Sequence, residues 1–312
     1  MKISIFGLGY VGAVSAACFA KTGHEVVGVD SQQDKADIIN RGQSPIIEKD
    51  LDELISSGVG ASKLRATTCV IDAIESTELS FVCVGTPSQL NGSLDLTYVR
   101  RVCEEIGAEL AKKSSFHTVV IRSTMLPGTM SELVIPTLEE SSGKTAGIEF
   151  GVCNNPEFLR ESTAVYDFFN PPKTVIGETD EKSGSLLASL YQELDAPLIR
   201  TKVEIAEMVK YSDNAWHAVK VGFANEIGNI CKELNIQTQG QFSQIEIKVN
   251  PQGHRQTPNQ KTYQNSKPIN NRGSVLSMST STADHFLEIA QNAPKGLKEK
   301  LRKLAANANK RG

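Results

Sequence analysis

The sequence has no apolar run that approaches the roughly 18 residues a membrane-spanning helix needs. Its first apolar stretch, residues 2–6, is interrupted at once by glycine, so a secretory leader is not predicted. The net charge of −3 gives no overall attraction to nucleic acid or to an anionic membrane. These absences predict a cytoplasmic protein that neither crosses a membrane nor binds nucleic acid.

The sequence also lacks the paired cysteine spacings of a metal site. Its six cysteines are scattered singly, and several lie within apolar segments. Buried single thiols are typical of a reducing compartment. We therefore predict free thiols and no metal site. The cysteines are Cys18, Cys69, Cys83, Cys103, Cys153 and Cys231.

Charge and composition change abruptly near residue 237. Residues 237–312 carry 12 Lys/Arg and 4 Asp/Glu, a net charge of +8, against −11 for residues 1–236. Residues 237–282 are rich in Gln, Asn, Ser and Thr, with few large apolar side chains, which predicts disorder. Residues 283–305 regain a pattern that ends in a short basic amphipathic helix. We expect that helix to be solvated, with binding to an acidic partner or membrane surface as the alternative.

The strongest pattern lies at the start of the chain. Residues 2–6 predict a buried strand, residues 14–22 a helix and residues 25–29 a second strand. The residues between the first strand and the helix have the spacing G-x-G-x-x-G, and an aspartate follows the second strand. A strand, a glycine turn, a helix, a strand and an acid in this order predict a dinucleotide-binding βαβ unit.

Each of these residues has a distinct physical role in such a unit. Gly7 permits the tight turn, Gly9 lets the backbone approach a pyrophosphate, and Gly12 lets the helix pack on the sheet. The free N–H groups at the start of the helix attract the phosphates. The carboxylate of Asp30 can accept hydrogen bonds from the ribose hydroxyls of NAD, and it would repel the 2′-phosphate of NADP. The predicted cofactor is therefore NAD.

Strands and helices continue to alternate through the first two thirds of the chain. This alternation predicts an α/β fold: a doubly wound, Rossmann-type parallel sheet, followed by a long central helix and a largely irregular tail. The predicted domains are an NAD-binding domain over residues 1–200, a central helix over 201–236 and a divergent tail over 237–312. Further predicted strands cover residues 80–84, 118–122, 148–152, 173–176 and 197–200, and further helices residues 31–40, 50–55, 98–112 and 204–234.

Polar residues after the predicted strands mark a possible ligand crevice, because loops at the carboxyl ends of parallel strands line it. Thr86 and the loop over residues 123–129 fit this position, and an ordinary turn threonine is the alternative for Thr86. Lys35 could reach a nucleotide or lie in solvent. Residues 153–162 place acids, amides and a base beside apolar residues, which also suits a ligand site.

The predicted helix over residues 204–234 has two stripes. Lys210, Asn214 and His217 step by four and three residues and so share one face. An apolar stripe containing Trp216 and Phe223 lies elsewhere around the helix. The polar stripe is either a solvated face or part of a site.

Five segments together closely resemble the UDP-glucose/GDP-mannose dehydrogenase family. They are ISIFGLGYVGAV, FVCVGTPS, VIRSTMLPGT, NPEFLRES and EMVKYSDNAWHAVKVGFANEIGNI, and the resemblance covers residues 1–236. The NAWH version of the last segment, with His217, resembles the GDP-mannose branch more than the UDP-glucose branch.

The resemblance implies oxidation of a sugar C6 hydroxyl to a carboxylate, with two NAD reduced, on GDP-mannose for a polysaccharide such as alginate. It also implies a homodimer. Lys210 and Asn214 would stabilise an oxyanion, and Glu161 would be a general base if enclosure raises its pKa. The implied NAD contacts are Tyr10, Val11, Asp30, Lys35, Thr86 and Thr124, and the implied substrate contacts are Leu159, Glu161, Lys210, Asn214, His217 and Asn225.

The sequence departs from the family after residue 236. The glycine-rich cysteine motif that carries the family's second oxidation is not found, nor is the second nucleotide-binding domain. Without a thiol to trap the aldehyde the covalent route is closed, so we expect little or no turnover from this chain alone. A frameshifted, truncated or fused chain and a native new tail remain alternatives. The competing functions are an NAD-binding protein with a partner-recruiting basic tail and a remnant without turnover.

Overall fold

The computed structural model of the protein describes residues 1–233. The predicted tail over residues 237–312, with its basic helix, lies outside them. Within the described residues, eight strands form one sheet with helices on both faces. The strands are β1 (Lys2–Phe6), β2 (Glu25–Val29), β3 (Leu64–Thr67), β4 (Leu79–Val82), β5 (Thr118–Ile121), β6 (Gly151–Asn154), β7 (Thr174–Glu178) and β8 (Leu198–Lys202).

The last helix within the described residues is long, which agrees with the predicted long central helix. The helices are α1 (Tyr10–Lys21), α2 (Gln33–Asn40), α3 (Leu51–Gly60), α4 (Val70–Ser76), α5 (Thr97–Leu110), α6 (Ile135–Ser142), α7 (Ala164–Phe169), α8 (Glu181–Ser189) and α9 (Val203–Glu233). One turn of π-helix over Met130–Val134 runs directly into α6. No helix within residues 1–233 is both long enough and apolar enough to cross a bilayer.

The strand order is β3-β2-β1-β4-β5-β6-β7-β8. Strands β1 to β6 are parallel, which confirms the predicted doubly wound, Rossmann-type sheet. The prediction of a parallel sheet is wrong at one junction, where β7 runs antiparallel to β6 and β8 then runs parallel to β7. The one helix between β6 and β7 is the six-residue α7, about 9 Å long. Strand β7 then enters the sheet beside β6 in the opposite direction.

The sheet is apolar on both faces because helices cover both. On one face the ring of Phe19, in α1, stacks on Phe81 of β4 at 5.2 Å and meets Phe168 of α7 edge-on at 5.1 Å. On the other face Val82 and Val119 pack in a second cluster that includes residues of α5 and α6. Cores on both faces explain why the strands read as short, continuous apolar runs.

Several elements begin or end away from their predicted positions. Helix α1 begins at Tyr10, four residues before the predicted start, because Gly9 is its N-cap and Gly12 lies in its first turn. Helix α3 continues to Gly60, beyond the predicted end at residue 55. Of the six cysteines, all within the described residues, Cys69 is exposed and the others are buried; all are free thiols, as predicted.

Candidate functional site

The site begins at the glycine turn between β1 and α1. Gly7 has a φ of +91°, and its N–H donates to the carbonyl of Val29 at the end of β2 (2.8 Å). A Cβ at Gly12 would lie 1.8 Å from the carbonyl oxygen of Gly7, so the helix touches the turn through this glycine. These two glycines are therefore required by the protein's own packing.

Gly9 differs from the other two glycines. A Cβ added there meets no protein atom within 4 Å, so the protein's packing does not require glycine at this position. The amino end of α1 has no side-chain cap, and the first N–H groups of a helix lack intrahelical partners. Open space in front of free N–H groups fits a diphosphate, and the turn is therefore suited to the predicted NAD.

Asp30 lies at the end of β2 and is buried. Its Oδ2 accepts from the N–H of Leu8 in the glycine turn (2.8 Å), and its Oδ1 accepts from the N–H of Gln32 (3.0 Å). The ammonium of Lys35 lies 3.2 Å from the same Oδ2. Asp30, the predicted hydrogen-bond acceptor for the ribose, is thus bonded to the glycine turn that is predicted to bind the phosphates. Lys35 lies beside Asp30 rather than in open solvent.

Thr86 and Thr124 meet at the carboxyl ends of β4 and β5. The hydroxyl of Thr86 donates to the carbonyl of Thr124 at 2.8 Å. The hydroxyl of Ser123 donates to the carbonyl of Val84 at 2.6 Å and ties the same two loops together. Both predicted contacts therefore lie at the carboxyl edge of the sheet, where the crevice of a doubly wound fold forms.

Tyr10 and Val11 begin α1 and are both half-buried. The hydroxyl of Tyr10 hydrogen-bonds to Glu48, a residue that the sequence did not indicate. Burial, and then this hydrogen bond, raise the pKa of Tyr10 well above its usual range, so the phenol stays protonated. Tyr10 is thus fixed at the edge of the predicted cofactor site.

The loop after β6 meets α9 through a buried ion pair. Lys210 is 7% exposed, and its Nζ lies 3.0 Å from Oε1 of Glu157. The ring of Phe158 lies beside both Lys210 and Lys173, at 5.4 and 4.3 Å from their Nζ atoms. The sequence predicted Lys210 as a substrate contact, whereas it indicated Glu157 only as one of the acids in the candidate loop over residues 153–162.

The other predicted substrate residues are placed differently. Leu159 is half-buried, whereas the side chain of Glu161 is exposed, so the described residues do not provide the enclosure on which a general-base role for Glu161 depends. Ser162 has a φ of +71°, and the chain turns sharply just after Glu161. Asn214, His217 and Asn225 are also exposed on α9. Of the predicted polar face, the structure brings Lys210 alone into the interior.

Glu207 fixes the position of α9 one turn before Lys210. Its two carboxylate oxygens accept from the N–H groups of Gly128 and Met130, both at 2.8 Å. Burial raises the pKa of Glu207, and the two amide hydrogen bonds oppose that shift. The helix that carries Lys210 is therefore attached to the loop that carries Thr124.

Replacing Lys210 by methionine should destabilise the protein. Lys210→Met leaves the Glu157 carboxylate, whose side chain is 12% exposed, without its cation. We expect the free energy of unfolding in urea to fall by about 2 kcal/mol, since a buried carboxylate that loses its partner keeps the cost of its desolvation. Lys220→Met, which removes an exposed lysine from the same helix, is the matched control. Lys210→Met/Glu157→Gln should recover most of the loss, and an equal loss in the single and double variants would contradict the assignment.

Comparison with known proteins gives a consistent result. Residues 1–195 match the model of the UDP-glucose/GDP-mannose dehydrogenase family's NAD-binding domain, and residues 204–250 match that of its central domain. The chain is 59% identical to the GDP-mannose 6-dehydrogenases of Pseudomonas syringae pv. syringae and Azotobacter vinelandii over 236 residues, which is 76% of this chain and 54% of each relative. The match to an NAD-binding domain confirms the predicted cofactor.

Solved structures agree with these relatives. A ternary complex of GDP-mannose dehydrogenase from Pseudomonas aeruginosa, in a crystal structure, is 56% identical with a TM-score of 0.75, over 76% of this chain and 54% of that one. A UDP-glucose dehydrogenase from the archaeon Pyrobaculum islandicum is 39% identical with a TM-score of 0.72, over 75% of this chain and 54% of that one. This chain thus spans about half the length of the curated relatives it matches.

Proposed function

Because the chain belongs to the UDP-glucose/GDP-mannose dehydrogenase family, we propose that it binds NAD across the turn from Gly7 to Gly12 and serves the oxidation of the C6 hydroxyl of GDP-mannose to the carboxylate. The observation that supports this most is the geometry at Gly9. Open space faces the uncapped start of α1, and the carboxylate of Asp30 stands at the end of β2. Bound NAD would supply the hydride acceptor for the reaction.

The side chains that would act on the sugar are Lys210 and its neighbours. The buried ammonium of Lys210 would donate a hydrogen bond to the sugar oxygen as negative charge develops on it, with the amide of Asn214 as a second donor one turn further along α9. Glu157 Oε1, 3.0 Å from Lys210 Nζ, would hold that ammonium in place for this contact. We therefore propose that Glu157 positions Lys210, and that Glu161 and Leu159 contact the substrate, with Glu161 as the general base once the bound sugar encloses its carboxyl.

The remaining parts of the proposal concern the setting of the reaction. Residues 1–200 would bind NAD. Residues 201–236 would form the first part of a central helical region through which two chains form a homodimer. His217 and Asn225, exposed on α9, would contact the nucleotide sugar. The product, a GDP-linked uronate, would feed an exopolysaccharide such as alginate.

Calorimetry and turnover test the proposal in two steps. Titration of the full chain with NAD and NADP should show binding of NAD in preference to NADP. NADH formation with GDP-mannose, and not with UDP-glucose, would support the proposed substrate, and it would overturn the expectation of little or no turnover from this chain alone. NAD binding without NADH formation would limit the protein to cofactor binding, whereas no heat with NAD would refute the proposal.

Removing the charge of Asp30 should weaken NAD binding. The amide of Asp30→Asn keeps one acceptor for the N–H of Leu8 or Gln32, but it loses the ionic acceptor for the ribose hydroxyls. We expect NAD affinity to fall about tenfold, which is the effect of losing one charge-assisted hydrogen bond, and the preference over NADP to narrow. Asp34→Asn removes an exposed carboxylate from α2 as the control. Unchanged NAD affinity in Asp30→Asn would place the ribose elsewhere.

A further inference from the structure

Glu48 is a buried carboxylate that joins two parts of the site. It lies in the chain before α3 and is 9% exposed. One oxygen, Oε2, hydrogen-bonds to the hydroxyl of Tyr10 and accepts from the N–H of Ser162 at 2.9 Å. The other oxygen, Oε1, accepts from the N–H of Ala164 at 3.2 Å. Three donors from two distant segments therefore converge on this carboxylate.

The segment held by Glu48 adopts a conformation that needs support. Ser162 has a φ of +71°, in the left-handed region that a residue with a side chain rarely adopts. Its N–H donates to Glu48 and lies 3.1 Å from the hydroxyl oxygen of Tyr10. Residues in such conformations persist where the surroundings fix them. Here the fixing groups come from α1 and from Glu48.

A second set of contacts shapes the same loop from within. Asp167, which is buried, accepts from the backbone N–H of Arg160 at 2.9 Å and from its guanidinium at 2.7 and 3.0 Å. These contacts join the loop to α7 but not to α1. The contacts of Glu48 and Tyr10 differ in that they attach the loop to the start of the predicted cofactor helix.

We propose that Glu48 is a positioning residue that attaches the loop over residues 157–162 to the first residue of α1, so that the loop and Tyr10 move as one unit. The loop carries Glu157 and Glu161, and Tyr10 is a predicted NAD contact. The arrangement of the sugar-binding loop is then coupled to the cofactor site through one carboxylate. The link to NAD rests on the proposed function, whereas the attachment itself does not.

Amide hydrogen exchange of the full chain tests the attachment. In Glu48→Gln an NH₂ group, which can only donate, replaces one of the two oxygens that accept from the N–H groups of Ser162 and Ala164. We therefore expect hydrogen exchange at these two amides to accelerate about ten- to a hundredfold. Glu53→Gln, an exposed carboxylate on α3, should leave both rates unchanged. Rates within twofold of the wild type in Glu48→Gln would overturn the proposal.

Tyr10→Phe distinguishes a coupled unit from a local support. If the loop and Tyr10 form one unit, the effects of Tyr10→Phe and Glu48→Gln on exchange at Ser162 will be strongly non-additive in the double variant. Additive effects would mean that Glu48 supports the loop independently of α1. Asp167→Asn, which disturbs the loop from within, should add to Glu48→Gln and serves as the comparison.

Exchange with NAD present separates this inference from the proposed function. NAD should slow exchange at Ser162 in the wild type and should not do so in Glu48→Gln. If NAD binds but leaves Ser162 unchanged in the wild type, the coupling to the cofactor is wrong. If the wild type binds no NAD, the proposed function fails, and the ligand-free exchange rates still decide whether Glu48 attaches the loop.

Discussion

Gly9→Ala should abolish detectable NAD binding without destabilising the protein. A Cβ at this position meets no protein atom within 4 Å, and the residue's φ of −77° and ψ of −160° suit any amino acid. The added methyl group would instead occupy the space where the diphosphate approaches the amino end of α1. We expect NAD affinity to fall more than about a hundredfold, since displacing the diphosphate costs several of its N–H contacts, while the midpoint of thermal unfolding stays within about 2 °C of the wild type.

Gly12→Ala is the matched variant, because its methyl group has no space. The Cβ would lie 1.8 Å from the carbonyl oxygen of Gly7, so α1 must move away from the turn. We expect loss of NAD binding together with a fall of about 2–3 kcal/mol in the free energy of unfolding, as for overpacked cores. Calorimetry and urea unfolding of both variants make the comparison.

The two variants together test whether the glycine turn binds the diphosphate. If Gly9→Ala binds NAD like the wild type, the diphosphate does not lie against this turn, whatever Gly12→Ala does. If Gly9→Ala loses stability as well as binding, the position has a packing role that the geometry does not show. Only a loss of binding at unchanged stability in Gly9→Ala agrees with a site built for a ligand.

The first βαβ unit could be predicted from sequence because its determinants are local. Two apolar strands, three spaced glycines and Asp30 fall within the first thirty residues. The later strands were found where apolar residues run together, as in Phe81 and Val82 of β4 and residues 119–121 of β5. Burial on both faces produces such runs in a sheet covered by helices.

Other elements were missed because their determinants are distant or weak. Strand β3 has only four residues, LRAT, with the charged side chain of Arg65 exposed, and pairing with β2 fixes it. The antiparallel entry of β7 beside β6 follows from the path of the connection and leaves no pattern in either strand. A short stretch of sequence shows neither which strand it pairs with nor the path of the chain between two strands.

The candidate site shows the same division. The residues of the glycine turn and Asp30 could be located by spacing alone. Glu48 and Glu157 could not, because their partners Ser162 and Lys210 lie 114 and 53 positions away along the chain. The turn at Ser162, which follows the exposed Glu161, is likewise not signalled by a neighbouring glycine.

A buried polar network lies at the amino end of β5, away from the candidate site. His117 is fully buried, and its Nε2 lies 2.7 Å from the hydroxyl oxygen of Ser80, which in turn lies 2.6 Å from that of Ser4. Its Nδ1 lies 3.2 Å from the carbonyl oxygen of Thr77 and 3.2 Å from the ammonium of Lys113. Burial, and then the charge of Lys113, lower the pKa of His117 to about 3.

The protein should therefore lose stability as the pH falls from about 6.5. Below that pH the unfolded chain binds a proton at His117, whereas the folded protein does so only near pH 3. Because the unfolded state binds more protons in this window, lowering the pH favours unfolding. Between pH 7 and pH 4 the linkage from this one residue is about 3 kcal/mol, a large part of the stability of a typical domain.

His117→Gln should make the pH dependence shallower by about this amount, because glutamine can hydrogen-bond to Ser80 but does not titrate. Urea unfolding of the wild type and the variant at pH 7, 6, 5 and 4 measures the difference. His217→Gln, an exposed histidine on α9, controls for the loss of an imidazole at the surface. The variant will be less stable than the wild type at pH 7, so the change in slope, and not the absolute stability, is decisive. Parallel slopes would mean that His117 takes up its proton without unfolding, and that Lys113 yields its position beside the ring.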